Sequence, residues 1–302
     1  MTAVDALMEG LVDYAGLFPP ASQDMRSAVE SYASYRNRPD RLALGRFIVS
    51  VARLDEFEEA ARDLMSRGEG SEPWRLSVLV GGDARAAGER MLKFNCHHWS
   101  GSEDGHAVID AVELKAASVE EIEAQHRELP AFFQRYFEIP VGRNVHALVK
   151  AIARAGARAK IRTGGITPDA FPAAREILAF LVACNTEGVA FKATAGLHHP
   201  VRGPYRLTYD RQSATGTMYG FLNVFLAAAL LRQGVEESIV LELLEESDAA
   251  AFEFSSDGIQ WRGHRVSTSA LQDVRRGTAI SFGSCSFREP VEELTQLISA
   301  HA

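Results

Sequence analysis

Two short segments of the chain place a lysine inside an apolar strand that runs directly into a glycine turn. They are Lys-Ile-Arg-Thr-Gly-Gly at 160–165 and Phe-Lys-Ala-Thr-Ala-Gly-Leu-His-His-Pro at 191–200. Desolvation penalises a charged amine within a strand, so lysines that accept this cost beside a flexible turn are candidates for chemistry. The two segments therefore predict an enzyme.

Two neighbouring lysines suit the attack of an amine on a carbonyl carbon. A free lysine has a pKa near ~10.4, which leaves almost no unprotonated amine at neutral pH. A second cation nearby, together with partial desolvation, lowers that pKa and frees the lone pair. The iminium that forms is an electron sink for carbon–carbon cleavage, condensation or dehydration. A carboxylate such as Glu138 or Glu113 would then transfer the proton.

The carboxylates and lysines fall on strands whose side-chain alternation points them toward one axis. In a barrel, alternate side chains face inward, and functional ones lie near the carboxyl end of each strand. The inward set predicted from four consecutive strands is Glu113, Lys115, Glu138, Lys160, Arg162, Lys192 and Thr194. Barrel interiors are usually filled with Val, Ile and Leu, so this concentration of charge favours an active site over a structural ion pair.

The rest of the chain alternates strand patterns with helical patterns. Strands are predicted at 11–14, 46–51, 75–80, 107–115, 132–139, 157–163, 189–195 and 279–286. Helices are predicted before the first strand at 3–9, between strands at 24–35, 54–66, 83–94, 119–128, 144–155 and 169–186, and after the last at 289–299. Eight such units predict an α/β fold of the (β/α)8 TIM-barrel type, and an open doubly wound sheet is the alternative.

The gap between the seventh and eighth strands is too long for one unit. It contains helical patterns at 217–232 and 236–246, followed by a hairpin pattern at 252–261 that turns at Asp257 and Gly258. We therefore expect a single barrel domain over 1–302 with an N-terminal helix and a helix-plus-hairpin insertion at about 217–275.

The two lysine segments resemble strands of the deoxyribose-phosphate aldolase family of imine-forming barrel aldolases. The segment 191–196 is similar to the strand that carries the family's Schiff-base lysine, and 160–165 to its other lysine strand, which ends in a glycine pair. In this chain the two strands come in the opposite order, Lys160 lies one residue further from its glycine pair, and Arg162 is added. The resemblance implies that Lys192 forms the imine, that Lys160 lowers its pKa, and that no cofactor takes part.

Further residues at the carboxyl ends of the strands are expected to contact the substrate. They are Arg162, Glu113, Lys115, Gly164, Gly165, Thr194, His198, His199 and Ser284. Cys285 is a weaker nucleophile candidate, which would need His198 or His199 as its base. The alternative to an imine is a divalent-metal enzyme in which Glu113 and Glu138 hold Mg²⁺ or Zn²⁺ and Lys192 is the general base.

Composition limits the partners. The net charge of −8 disfavours nucleic acid and anionic membranes, and the longest apolar stretch, 218–231, is too short to span a bilayer. The amino end lacks a signal-peptide pattern, and three scattered cysteines fit a reducing cytoplasm. We expect a cytoplasmic lyase of the aldolase type acting on a small carbonyl compound, phosphorylated or carboxylated. Homo-oligomerisation and a non-catalytic barrel that binds an anionic metabolite stay open.

Overall fold

The computed structural model describes residues 1–300 of the chain, and strands and helices alternate along most of it. The strands are β1 (Val12–Tyr14), β2 (Leu44–Ser50), β3 (Trp74–Leu79), β4 (Ala107–Lys115), β5 (Gln134–Glu138), β6 (Arg158–Arg162), β7 (Phe191–Thr194), β8 (Gly203–Arg206), β9 (Thr215–Met218), β10 (Phe252–Ser255), β11 (Gly258–Trp261), β12 (His264–Ser267) and β13 (Ala279–Ser284). The helices are α1 (Ala3–Met8), α2 (Met25–Arg36), α3 (Leu54–Ala61), α4 (Ala84–His97), α5 (Val119–Glu128), α6 (Val145–Arg154), α7 (Ala174–Glu187), α8 (Phe221–Arg232), α9 (Glu237–Glu245), α10 (Thr268–Gly277) and α11 (Arg288–Ala300).

Eight strands of the described chain close into a parallel barrel in the order β1, β13, β7, β6, β5, β4, β3, β2. The predicted (β/α)8 barrel is confirmed, and each of the eight predicted strands is one of the barrel strands. The pairing of β6 with β7 sets Lys160 directly opposite Lys192, and the pairing of β5 with β6 sets Glu138 opposite Lys160. The charged residues of neighbouring strands therefore meet at one depth of the barrel interior.

Several helix boundaries follow from local capping chemistry. Ser118 accepts a hydrogen bond from the backbone N–H of Glu121 at the start of α5, as its sequence position suggests. The helix predicted over 169–186 begins later, at Ala174, because Pro172 interrupts it after a short 3-10 turn at Pro168–Ala170. The loop after β6 is consequently longer than predicted.

The connection between β7 and β13 holds more structure than the sequence pattern indicated. It contains an antiparallel hairpin of β8 and β9, then α8 and α9, a three-stranded sheet of β10, β11 and β12, and α10. The β8–β9 hairpin was not predicted because its strands have four residues each and include Pro204 and Gly216, without alternating apolar positions. β9 occupies the residues where the helical pattern at 217–232 was expected to start, so α8 begins at Phe221.

Helix α8 is buried on almost every side, with only Arg232 exposed. It packs against α7, α9 and α10, so its apolar surface is covered by protein. Within residues 1–300, no helix combines the length and the apolar character that crossing a membrane requires.

A glycine in β2 makes room for a carboxylate from β1. The backbone N–H of Arg46 donates a 2.7 Å hydrogen bond to Oδ1 of Asp13, at an irregularity in the β1–β2 pairing. A Cβ on Gly45 would lie 2.3 Å from that same oxygen. Asp13 is fully buried, so the close approach of the Gly45 backbone helps to hold its carboxylate in place.

Gly45→Ala should therefore destabilise the protein by about 1–3 kcal/mol, because the new methyl group must displace a buried, hydrogen-bonded carboxylate. Urea unfolding measures the change. Gly81→Ala is the matched control, since a Cβ at Gly81 meets no atom within 4 Å and the backbone there is not left-handed. Equal stability of the Gly45→Ala variant and the unmodified protein would contradict this account of β2.

Candidate active site

The barrel interior contains a continuous chain of alternating acidic and basic side chains. At its centre is Glu113 on β4, which accepts from two lysines: Lys192 Nζ lies 2.6 Å from its Oε1, and Lys160 Nζ lies 2.7 Å from its Oε2. Lys192 also donates to Oδ2 of Asp13 at 2.7 Å, and Lys160 lies 2.7 Å from Oε2 of Glu138. Arg162 Nε, 3.5 Å from Oε1 of Glu138, ends the chain at the rim. Three carboxylates thus balance three cations.

Two serines add hydrogen bonds to the buried carboxylates. Ser77 Oγ on β3 donates to Glu113 Oε1 at 2.7 Å, and Ser281 Oγ on β13 donates to Asp13 Oδ2 at 2.7 Å. The ring of Tyr136 lies 5.3 Å from the Lys192 ammonium. Polar partners from several strands therefore satisfy the groups that the barrel removes from water, as buried charges require.

The charge of this network opposes the predicted depression of the Lys192 pKa. Burial alone would lower the pKa of Lys192, but the negative charges of Asp13 and Glu113 outweigh burial and raise it. The expectation that Lys160 would lower the Lys192 pKa is wrong, because the carboxylate of Glu113 lies between the two ammonium groups. In this arrangement the side chain of Lys192 stays protonated.

The pKa values of the carboxyl groups of Glu113 and Glu138 are lowered. Burial would raise the pKa of Glu113, yet the charges of Lys160 and Lys192 hold it well below its usual range. Burial would also raise the pKa of Glu138, but the positive charges of Lys160 and, to a smaller extent, Arg162 lower it. Both carboxyl groups are therefore ionised at neutral pH.

A cavity of about 550 Å³ opens above this network at the carboxyl ends of the barrel strands. Its floor includes Glu113, Lys160, Arg162 and Thr194. Its apolar lining is Ala15, Phe18, Pro19, Pro20, Ile48, Leu79, Ile166, Leu207 and Met218. Residues 205–209, in and after β8, cover one side of the cavity. The volume is that of a small-molecule site, and the position is where barrel enzymes hold their active sites.

The structure brings most of the predicted site residues to this cavity. Those that line it are Glu113, Lys160, Arg162, Gly165, Thr194, His198 and His199. Lys192 lies beneath the lining, with 1% of its side chain exposed against 4% for Lys160. Of the two lysines, Lys160 is the one that a molecule in the cavity would touch.

Four predicted residues lie beside the cavity without lining it. Lys115 is exposed at the end of β4, and together with Glu138 it borders a separate depression. The prediction that Lys115 faces into the barrel interior is wrong. Strand alternation indicates the side to which a side chain points, but Lys115 is the last residue of β4, where the chain has already left the packed interior. Gly164 faces Phe171 and Gly196, where a Cβ would clash, so its role is packing. Ser284 is buried and donates to the backbone carbonyl of Ser286.

The two histidines that follow β7 pair with acidic residues of α11. His198 Nδ1 lies 3.0 Å from Glu289 Oε2, and His199 Nδ1 lies 2.8 Å from Glu293 Oε2. The ring of Tyr205 stacks on His199 with 3.4 Å between the ring centroids. Cys285 Sγ lies 3.9 Å from His198 Nε2, as expected if one of these histidines serves the thiol.

The candidate metal ligands fall into two separate groups. Glu113 and Glu138 both contact the Lys160 ammonium, so the space between them already holds a positive charge. His199, Glu289 and Glu293 present ligand atoms within 4.8 Å of one another, which makes them the described residues best arranged for a divalent cation. The arrangement does not group Glu113 and Glu138 with a histidine around one cation.

Sequence reasoning did not identify several residues of the site. Asp13, on the short first strand, was not among the predicted inward residues, whereas it is a buried partner of Lys192. Arg206 and Tyr209 reach the cavity from the hairpin region, for which the sequence carried no recognisable pattern. Ser77 and Ser281 had a usable signal, because each is a small polar residue with an apolar residue on either side of it in its strand.

The chain matches no protein-family model, and it matches no curated protein. Enzymes of many classes share this fold, so only the residues of this site can indicate a particular reaction.

Glu113→Gln should lower the free energy of unfolding by about 3–5 kcal/mol, because it leaves two buried ammonium groups short of a counter-charge. Urea unfolding at neutral pH measures the loss. Glu120→Gln is the control, since Glu120 is exposed on α5 and should leave stability unchanged. A stability loss no larger than that of the control would mean that the network does not hold the barrel together.

The same variant has a predicted pH dependence. Because the pKa of Glu113 is lower in the folded state, its contribution is complete above the ordinary value of 4.5 and is lost as pH falls below that value. The pKa of Lys192 is raised, so its contribution is complete below the ordinary value of 10.5 and is lost as pH rises further. The stability difference between the unmodified protein and Glu113→Gln should be largest between these limits. A difference that does not shrink in acid would contradict this prediction.

Proposed function

We propose that this barrel is a carbon–carbon lyase of the aldolase type, which acts on a small anionic carbonyl compound through an imine on Lys160. The observation that carries the proposal is the position of Lys160 on the cavity floor between two carboxylates, 2.7 Å from each. The resemblance to imine-forming barrel aldolases supports the class of reaction. The choice of lysine differs from the one that the resemblance implies.

Accessibility favours Lys160 over Lys192 as the nucleophile. Among the described residues that line the cavity, Lys160 is the single lysine. Lys192 lies below the cavity, held by Asp13 and Glu113, and is not among the residues that line it. In the proposed mechanism Lys192 keeps Glu113 ionised and oriented toward Lys160.

The two carboxylates suit the intermediate as well as the resting state. A protonated imine carries one positive charge at the same nitrogen that is an ammonium beforehand. Glu113 and Glu138 therefore stabilise the iminium without having to reorganise, which is the arrangement that gives electrostatic catalysis its effect. Glu113 is also held by Lys192, whereas Glu138 lies beside the cavity and contacts the Lys160 nitrogen at 2.7 Å, so we assign the proton transfers at that nitrogen to Glu138.

Imine formation can be written with the residues present. Lys160 gives one proton to Glu138, and its lone pair forms a bond to the substrate carbonyl carbon while the carbonyl π electrons move to oxygen. Proton transfer from nitrogen to that oxygen gives a neutral carbinolamine. Glu138 returns its proton to the hydroxyl group, which leaves as water and yields the iminium. The nitrogen begins and ends this sequence with the same charge.

Cleavage then uses the iminium as an electron sink. Glu138, ionised again, removes the proton of a hydroxyl group on the β-carbon of the bound substrate. The O–H electrons form the new carbonyl, the carbon–carbon bond breaks, and its electrons enter the enamine on Lys160. The first product is an aldehyde or ketone. Protonation of the enamine and hydrolysis of the imine release the second.

The cationic groups at the cavity favour an anionic substrate. Arg162, with 51% of its side chain exposed, and Arg206 both line the cavity, and their guanidinium groups match a carboxylate or phosphate. The apolar wall opposite, formed partly by Ile48 and Leu79, suits the carbon skeleton. A metal held by Glu113 and Glu138 would have to displace the Lys160 ammonium, so the proposed mechanism uses none.

Borohydride reduction in the presence of a panel of short aldehydes, ketones and 2-keto acids tests the imine. We expect a secondary-amine adduct, located by peptide mass mapping at Lys160. The adduct should be absent from Lys160→Arg and Lys160→Met, because neither side chain can form an imine. Lys150→Arg is the control, since Lys150 is exposed on α6 and should leave the adduct unchanged.

Adduct formation at Lys192 in the unmodified protein would return the nucleophile to the residue implied by the family resemblance. No adduct on either barrel lysine, across the whole panel, would contradict imine chemistry. Circular dichroism and urea unfolding of both Lys160 variants ensure that a missing adduct reflects a missing amine in a folded barrel.

A further inference from the structure

A thiol, an imidazole and a carboxylate lie next to one another in the cavity wall, and the mechanism described above uses none of them. Cys285 follows β13 and lines the cavity with 5% of its surface exposed. Its Sγ lies 3.9 Å from Nε2 of His198 and 4.0 Å from Nδ1. His198 Nδ1 lies 3.0 Å from Oε2 of Glu289. This order of groups is that of a nucleophile, its base and the residue that orients the base.

Three separate elements hold the imidazole in place. His198 lies in the loop after β7, Glu289 is in the first turn of α11, and Ser284 Oγ on β13 lies 3.4 Å from His198 Nδ1. His198 is buried, with 8% of its surface exposed. Sγ lies at nearly equal distances from the two ring nitrogens, and because Glu289 engages Nδ1, we assign the proton exchange with the thiol to Nε2.

Tyr209 and the backbone N–H of Ala21 are the other hydrogen-bond partners of the sulfur. Tyr209 Oη lies 3.5 Å from Cys285 Sγ and 3.2 Å from Glu289 Oε2, and the backbone N–H of Ala21 points to the sulfur. Other titratable groups that face Cys285 or share its surroundings are Tyr14, Tyr35, Arg288, Glu292 and Glu293. Burial would raise the pKa of Cys285, but the hydrogen bond and positive charge of His198 outweigh burial and lower it.

The pKa of His198 is raised, as expected for an imidazole that contacts an acidic thiol and a carboxylate. Burial would lower the pKa of His198, whereas its hydrogen bonds to Cys285 and Glu289 raise it to about 10. The two pKa shifts are opposite in direction, and each is caused by the contact between the thiol and the imidazole. By contrast, burial without such partners raises the pKa of Cys184.

We propose that Cys285, His198 and Glu289 form a second nucleophilic site in the same cavity, at which the thiolate of Cys285 binds an aldehyde covalently as a hemithioacetal. The choice of an aldehyde rests on the proposed function, because aldol cleavage releases a carbonyl fragment into this cavity. The thiolate itself is inferred from the geometry of the three residues and needs no imine.

The covalent step balances without an oxidant or a leaving group. A sulfur lone pair forms a bond to the aldehyde carbon, and the carbonyl π electrons move to the oxygen. That oxygen takes the Nε2 proton of the His198 imidazolium, which leaves a neutral hemithioacetal and a neutral imidazole. The reverse steps return the aldehyde, the thiolate and the imidazolium.

Alkylation kinetics with iodoacetamide test the thiolate, because the three cysteines of the chain respond separately in peptide mapping. At pH 6.5 we expect Cys285 to react about tenfold faster than the exposed Cys96, since its greater thiolate fraction outweighs the lower nucleophilicity of a more acidic thiol. His198→Asn should remove this advantage. His97→Asn is the matched control for alkylation, because His97 is exposed on α4 and pairs with Asp104.

Thiolate absorbance near 240 nm gives a measurement that does not require reagent to reach the buried sulfur. The difference between the unmodified protein and Cys285→Ser should already show one thiolate at pH 7, and His198→Asn should abolish it. Reactivity of Cys285 no greater than that of Cys96, together with no thiolate absorbance at pH 7, would overturn the proposal.

Protection by an aldehyde tests the ligand class. Glyceraldehyde should slow alkylation of Cys285 and leave Cys96 unaffected, whereas glycerol, which lacks the carbonyl group, should protect neither. Protection that persists in Lys160→Arg supports binding at the thiolate even if imine trapping fails, so the two proposals can fail separately. Protection lost in Lys160→Arg, or never observed with a reactive Cys285, would refute the hemithioacetal.

Discussion

The bridging carboxylate of Glu113 is the interaction on which the rest of the barrel interior depends. Each of its oxygens accepts from a different buried lysine, at 2.6 and 2.7 Å. A buried ammonium that lacks sufficient counter-charge destabilises the fold by several kcal/mol, and without Glu113 each lysine would keep only one carboxylate partner. Two lysines need more negative charge than one carboxylate supplies, which accounts for Asp13 at one end of the network and Glu138 at the other.

The barrel strands contribute unequally to this network. The strands β4, β5, β6 and β7, with β1 and β13, supply the ionic chain, whereas β2 and β3 present Ile48 and Leu79 to the cavity. A molecule bound there meets a charged floor on one side and an apolar wall on the other. Such a site suits a substrate whose reactive carbonyl is small and polar and whose remaining carbons are not.

Strand alternation was enough to predict the depth and direction of Glu113, Glu138, Lys160 and Lys192, because the backbone of a parallel barrel fixes which side chains face inward. The sign of the pKa shift was not predictable in this way. It depends on which charge is nearest in space, and Asp13 comes from the strand furthest along the chain from Lys192. A list of inward residues does not contain these pairings.

The hairpin formed by β8 and β9 contributes to the cavity wall without belonging to the barrel sheet. Residues 205–209 form part of the cavity wall, but the hairpin pairs only with itself and is no part of the barrel sheet. Its sequence can consequently vary during evolution while the ion-paired interior is left untouched. Relatives with the same reactive floor and different hairpins would share a reaction and differ in the compounds they accept, which gives this scaffold a simple route to divergence.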